Sequence, residues 1–300
     1  MKTIVMILSV GHSGSTLLDK AIGSNSKAFS LGEIINFHRI IENRKSLCGC
    51  QSTYAFCPFW TDFIRKIEKR DEFLDGNFEL NYKVKSLKDL LCFINCLLFS
   101  KKSNYTNKII RKNEVVYDEL FKKTGSSLLI DSSKSLFRSL LIYKFIKKYD
   151  YRFIHLVRDG RTVLNSYQKK TYNVFKDGRV YTYNRKVQNP KLNVAYWFRY
   201  NVKSLVLLNL LRIPKKIIRY EDFVNNPVRS LNSISEFIGV NYEVNMVDLG
   251  NKTNHMCWGN ASRINALKIK PQTKRIMDFD LLKYFTSMPR LLNRMYGYKK

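Results

Sequence analysis

The opening of the chain constrains its fold more than any other stretch. Thr3 to Ser9 is a continuous apolar run, the mark of a strand buried on both faces rather than one that keeps a side in water. It passes through Gly11-His12-Ser13-Gly14-Ser15-Thr16 into Ser15 to Ile22, where apolar residues recur at helical spacing. A doubly buried strand followed at once by a helix needs helices on both faces of a mostly parallel sheet.

The same unit recurs. Leu128 to Ile130 precedes a helical Leu136 to Lys148, and Arg152 to Val157 precedes Arg161 to Lys169. Lys216 to Arg219 then reads as a strand and Pro227 to Ile238 as a helix. The fold expected is α/β, a central, mostly parallel sheet flanked by helices. Between residues 39 and 124 the alternation stops and charged helical text replaces it, so one domain over 1–300 with a helical insertion at 39–124 is the economical organisation. Leu90 to Phe99, the longest apolar stretch, is interrupted by Asn95; it is too short to span a bilayer, which takes about 20 residues, and reads as a buried helix, with an interfacial helix as the alternative.

A short glycine-containing turn at a helix N-terminus offers unpaired backbone N–H groups and the positive end of the helix dipole, a cradle for phosphate or sulfate. Ser13, Ser15 and Thr16 add hydroxyl donors. A nucleoside-triphosphatase loop would read G-x-x-x-x-G-K-[ST], its lysine reaching the terminal phosphates and its hydroxyl holding magnesium. Here the glycines are three apart and Ser15 stands where that lysine belongs. An anion carrier that needs no metal fits better than ATP with magnesium.

The chain carries 53 Lys and Arg against 24 Asp and Glu, a net charge of +29, and such a surplus points to an anionic partner. Residues 151–220 hold 16 basic and 2 acidic side chains, close to half of the excess. Within them Arg158 follows the strand ending at Val157, with Ser166 eight residues later on a helix. Ligands of doubly wound sheets bind at the carboxyl ends of strands. An Arg fork and a hydroxyl there form a clamp for a second phosphate.

Cysteine usage does not imply a disulfide scaffold. Cys92 and Cys96 fall in the apolar run and are expected in a core. Cys48, Cys50 and Cys57 form a C-x-C-x6-C cluster before Pro58-Phe59-Trp60. A zinc site needs a fourth ligand, and only His38 stands within reach in sequence. A structural loop with one disulfide is therefore expected, and no metal.

Two anion sites on one sheet without the loop lysine resemble the sulfotransferases that use 3′-phosphoadenosine 5′-phosphosulfate (PAPS). Gly11–Leu17 resembles their 5′-phosphosulfate loop, and Arg158-Asp159 with Ser166 their 3′-phosphate motif. Ile217 to Phe223, followed by Pro227 and Phe237-Ile238-Gly239, is similar to a later strand and helix, and Gly259 to Arg263 to a C-terminal loop that returns a basic residue to the nucleotide. Leu31-Gly32-Glu33 and Asp131-Ser132-Ser133-Lys134 resemble substrate-side motifs of the bacterial and Golgi-type branches.

The resemblance implies a P-loop-like sulfotransferase architecture with PAPS as sulfuryl donor. His12, Ser13, Gly14, Ser15, Thr16 and Leu17 would hold the phosphosulfate; Arg158, Ser166 and Arg263 the 3′-phosphate; and Tyr220 the adenine. His12 departs from the Lys or Arg of relatives, and the catalytic histidine of cytosolic members has no counterpart. Lys134 becomes the cation at the sulfuryl oxygens, Glu33 the base and His12 a donor to the leaving group, with His255 a lesser candidate for substrate contact or proton transfer. The acceptor is expected to be a hydroxyl, on a carbohydrate, and the basic and aromatic residues of 39–124 and 171–195 suit an acidic glycan. The alternatives are a divergent P-loop kinase and a basic nucleic-acid-binding protein; no nucleic-acid-binding signature appears. The N-terminal run leads into the glycine loop rather than a cleavage site, which places the expected protein in the cytoplasm, with room for peripheral contact at an acidic membrane.

Overall fold

The computed structural model describes residues 2–176, 179–184, 187–272 and 279–298, and side chains are described outside 172–181 and 279–280. Its elements run β1 (Thr3–Leu8), α1 (Ser15–Gly23), β2 (Ala28–Gly32), α2 (Phe37–Glu42), α3 (Pro58–Glu68), α4 (Leu87–Phe99) and α5 (Asn104–Thr124). There follow β3 (Leu128–Asp131), α6 (Leu136–Phe145), β4 (Asp150–Val157), α7 (Gly160–Tyr167), β5 (Thr171–Lys176), β6 (Arg179–Asn184) and α8 (Pro190–Leu210). The chain closes through β7 (Lys215–Arg219), α9 (Tyr220–Asn225), α10 (Pro227–Ile238), α11 (Ser262–Asn265), α12 (Phe279–Leu282) and α13 (Ser287–Met295).

Five strands form one sheet in the order β2-β3-β1-β4-β7, and every adjacent pair is parallel. The first strand is central, which is why its sequence is apolar throughout. Ile4, Met6 and Leu8 face one buried cluster with α3, α5 and α6. Val5 and Ile7 face a second, with α1 and α10. Each such side chain, taken wholly out of water, contributes about 1.5–3 kcal/mol. A third cluster joins Val10, Val157, Trp197 and the C-terminal Phe285 and Leu292.

The strand β2 and the antiparallel hairpin β5–β6 are additions to the strands expected from sequence. The helices of 39–124 pack their buried residues into the first cluster together with the sheet itself. One expectation needs correction: α4 buries only Phe93, Cys96 and Leu97, while Leu87, Leu91, Leu98 and Phe99 are exposed, because the helix lies on the rim of the core and shows it one face. Cys96 is buried and Cys92 only half-buried. Among the described residues, no helix is long and apolar enough to cross a membrane.

Candidate active site

Because the five strands run parallel, their carboxyl ends share one edge, and each end delivers one element of the site. Across the sheet, β2 is followed by Glu33, β3 by Ser132-Ser133-Lys134, β1 by the Gly11–Thr16 loop, β4 by Arg158 and β7 by Tyr220. The chain leaves β1 toward β2 on one side and leaves β4 toward β7 on the other, so these neighbours flank the point where doubly wound sheets open a crevice.

The loop after β1 is shaped by backbone conformation. His12 (φ 62°) and Gly14 (φ 87°) both adopt left-handed φ. At Gly14 only glycine fits, since a Cβ would lie 2.3 Å from the Tyr220 ring. Gly14 is the N-cap of α1 and no side chain caps it, so the first N–H groups of the helix keep their capacity for an anion. Ser13 Oγ is buried without a hydrogen-bond partner among the described residues. An orphan of this kind costs about 1–3 kcal/mol, and a bound anion is one way to relieve it.

Arg158 crosses to this loop. Its Nη1 donates to the His12 carbonyl at 2.7 Å, its guanidinium lies 4.3 Å from the centroid of the Tyr220 ring, and its Nε is buried without a partner among the described residues. The loop, Arg158 and Tyr220 thus form one contiguous group. Behind it, Asp159 caps α7 and pairs with Arg161 at 2.7 Å. Asn293 of α13 donates to the same carboxylate at 3.1 Å. Ser166 is on α7, where its hydroxyl donates to the Thr162 carbonyl at 2.9 Å; the next residue, Tyr167, sets its ring edge-on to His12 at 4.7 Å.

On the other side of the loop Glu33 and Lys134 form an ion pair, both side chains about one-fifth exposed (18% and 20%). Asn36 donates to the second Glu33 oxygen at 3.1 Å. Lys134 has φ 60°, and Tyr200 fixes its carbonyl at 2.8 Å. Gly259 packs where a Cβ would come 3.4 Å from Thr16 Oγ1 and 3.9 Å from Glu33 Oε1, so the 259–263 loop closes over the junction of anion loop and ion pair. Arg263 donates to the Gly259 and Leu47 carbonyls at 2.9 and 2.7 Å, holding that loop instead of reaching into the crevice.

Two buried carboxylates support the edge: Asp131, which opens the Asp131–Lys134 motif, and Asp19, which had not been picked out in the sequence. Asp19 on α1 accepts from Ser132 Oγ at 2.6 Å and Gly32 N at 3.0 Å, tying the ends of β2 and β3 to the helix of the anion loop. Burial pushes its carboxyl up to about 7, against the opposing hydrogen bonds from Ser132, Ser30 and Gly32. Asp131 accepts from Arg138 at 2.8 Å, Tyr117 at 2.5 Å and Ser133 N at 2.8 Å. Burial raises that carboxyl, and the facing Arg138 with the hydrogen bonds outweighs it, leaving it below the usual range. An Asp at the fifth position of a helix has no distinctive spacing, and only the fold shows what Asp19 ties together.

The cysteine loop departs from expectation. Cys48, Cys50 and Cys57 are free thiols, and His38 is not among their neighbours; the histidine that meets them is His255, with Nδ1 3.3 Å from Cys57 Sγ. His255 therefore sits in this cluster, and its ring stacks on Phe59 with centroids 4.9 Å apart.

Residues 112–244 match the model of the sulfotransferase family. The fold is similar to the sulfotransferase domain from the olefin synthase of Synechococcus PCC 7002, with TM-score 0.54 and 18% identity over 100% of this chain and 96% of that one. It is similar as well to the sulfotransferase domain from the curacin biosynthetic pathway, with TM-score 0.53 and 18% identity over 100% and 99%. No curated protein matches the chain. The matched segment spans α5 to the start of the region after α10, and so includes the Lys134 turn, Arg158 and Tyr220. That segment matches the sulfotransferase family, and the whole sheet has the fold seen in sulfotransferase domains.

Proposed function

We propose that the protein moves the sulfuryl group of PAPS to a hydroxyl on a carbohydrate acceptor. The observation that carries this reading is the order of groups along the carboxyl edge: base and cation, anion loop, arginine, aromatic ring. That order suits a ligand with a transferable anion at one end, a second phosphate and a base at the other.

In this reading the loop N–H groups and the hydroxyls of Ser13, Ser15 and Thr16 hold the 5′-phosphosulfate. Arg158 takes the 3′-phosphate, with Ser166 turning its hydroxyl from Thr162 to share it, and Tyr220 lies beside the adenine. Arg263 serves the nucleotide by keeping the 259–263 loop closed. The acceptor oxygen bonds to sulfur as the bond from sulfur to the bridging phosphate oxygen breaks, and adenosine 3′,5′-bisphosphate leaves. Glu33 accepts the acceptor proton, since an ionised carboxylate has acceptor sites only. Lys134, paired with Glu33, offers its remaining N–H donors to the sulfuryl oxygens, and His12 donates to the leaving phosphate. The insertion at 39–124 and the 171–195 segment, part of which is outside the described residues, would build the acceptor side, where the basic surplus favours an acidic glycan.

The test is transfer of labelled sulfate from PAPS, without added magnesium, to separate glycan, lipid and peptide fractions. Wild type should label glycans, and Glu33→Gln should lower turnover by about 10²–10⁴-fold with nucleotide binding kept. Label in lipid or peptide alone would refute the carbohydrate acceptor, and magnesium-dependent ATP turnover with PAPS untouched would refute sulfuryl transfer.

A further inference from the structure

The cluster of Cys48, Cys50, Cys57 and His255 lies outside the proposed chemistry, and its geometry is specific. Cys57 Sγ is 3.6 Å from Cys48 Sγ and 3.7 Å from Cys50 Sγ. His255 Nδ1 is 3.3 Å from Cys57 Sγ and 3.7 Å from Cys48 Sγ, and all four donor atoms lie within 4.8 Å of one another. Bonded sulfurs would be about 2.05 Å apart. A tetrahedral zinc ion, with bonds of about 2.3 Å to sulfur and 2.0–2.1 Å to nitrogen, sets neighbouring sulfurs about 3.8 Å apart and sulfur to nitrogen about 3.5 Å. The observed separations fall around those values.

The surroundings hold each donor in place. Cys48 and Gln51 close a tight turn, with Gln51 N donating to the Cys48 carbonyl at 3.0 Å and Gln51 at φ 71°. Gly49 between the first two cysteines has no room for a Cβ, which would meet Asn254 Oδ1 at 1.9 Å, so the two loops dock backbone to side chain. Cys57 is the N-cap residue of α3, where the helix dipole favours a thiolate. The His255 carbonyl accepts from Trp60 Nε1 at 2.8 Å, and stacking on Phe59 orients its ring. Cys48 and Cys57 are fully buried.

We infer that these four residues bind a zinc ion. Three thiolates and an imidazole are a soft donor set that suits zinc over magnesium or calcium. Four protein ligands close the coordination shell, so the ion is structural and holds no site open for substrate. Binding displaces a proton from each thiol and involves no redox change. The ion joins the start of the 39–124 insertion to residue 255, and two residues on, Cys257 N donates to the Leu31 carbonyl at 2.8 Å. Since Gly259 then packs against Thr16 and Glu33, the metal braces the loop that closes the proposed active site.

The direct test is elemental analysis of the full chain purified under reducing conditions. Wild type and a Cys92→Ala control should each carry one zinc, and Cys50→Ala and His255→Ala little or none. Replacement by cobalt should give wild type the intense visible bands of tetrahedral cobalt thiolate. Should the variants fail to fold, alkylation of wild type answers the same question: Cys48, Cys50 and Cys57 should resist modification until a chelator is added. A folded, reduced wild type that takes up neither zinc nor cobalt, or alkylates equally fast with and without chelator, would overturn the inference. So would a disulfide among the three cysteines in peptide mapping of freshly isolated protein.

Discussion

Asp19 shows how one buried group can be followed from burial to a measurable property. Its carboxyl rises from 3.8 unfolded to about 7 folded, so the native state binds the extra proton. Its stabilising contribution is complete below pH 4 and is lost as pH rises through about 7. His155 works in the opposite sense. Burial depresses it from 6.5 to about 4, against the hydrogen bond to Asn201, so its contribution is present above pH 6.5 and lost toward pH 4. Over much of the same window the two slopes oppose each other. Asp19→Asn removes one of them: urea unfolding across pH 4–7 should show the stability difference moving in the variant's favour as pH rises, by at most about 1.4 kcal/mol per pH unit. A difference independent of pH would place the Asp19 proton elsewhere. At this scale the sequence disclosed the loop, Arg158 and Lys134, because glycine spacing and strand ends are local signals. It did not disclose His255 as a partner of Cys57, since the two are 198 residues apart in the chain and meet only when the 254–263 segment docks on the insertion.

Among the elements, those whose pattern one face or one core dictates were legible. The central strands β1, β3 and β4 are short apolar runs followed by helical spacing, and β7 at the sheet edge carries Ile217-Ile218 before its helices; all appear in one sheet. β2 was missed because Ala28-Phe29-Ser30-Leu31-Gly32 is small and mixed, with little branched content to mark it. The β5–β6 hairpin is a run of Tyr, Thr, Val and Phe with one basic residue in each strand, and it was missed because it lies outside the alternation of strand and helix that the sequence was read for. In α4 hydrophobicity was mistaken for burial: the residues are apolar and most of one face is exposed. The junction of β1 and α1 gives this scale its prediction. Gly14→Ala must accommodate a Cβ 2.3 Å from the Tyr220 ring at φ 87°, so it should lower stability by about 1–3 kcal/mol through strain and displace Tyr220. Unchanged thermal unfolding together with unchanged nucleotide binding would show that the loop does not need this conformation.

For the whole molecule, the question is where a charge of +29 is used. Part of it stabilises the fold. Lys252 caps the end of α1 by donating to the Gly23, Asn25 and Ala28 carbonyls at 3.0, 2.8 and 2.7 Å. Arg138 is fully buried on Asp131, Lys112 is buried against the Asn77 carbonyl, and Arg263 ties two loops. Lys252→Met should therefore cost about 2–3 kcal/mol in urea unfolding, from carbonyls left with poorer partners, and a loss under 0.5 kcal/mol would show that water replaces the ammonium there. At the carboxyl edge of the sheet, Arg158 is the group to which the proposed function gives a nucleotide phosphate. Isothermal titration with adenosine 3′,5′-bisphosphate, without magnesium, measures that role directly. Wild type should bind one nucleotide per chain, and Arg158→Ala should bind about 10–100-fold more weakly, the loss of a charge-assisted contact of about 1.5–3 kcal/mol. Absence of binding to folded wild type, or equal affinity in the variant, would contradict the assignment of this edge as the donor site.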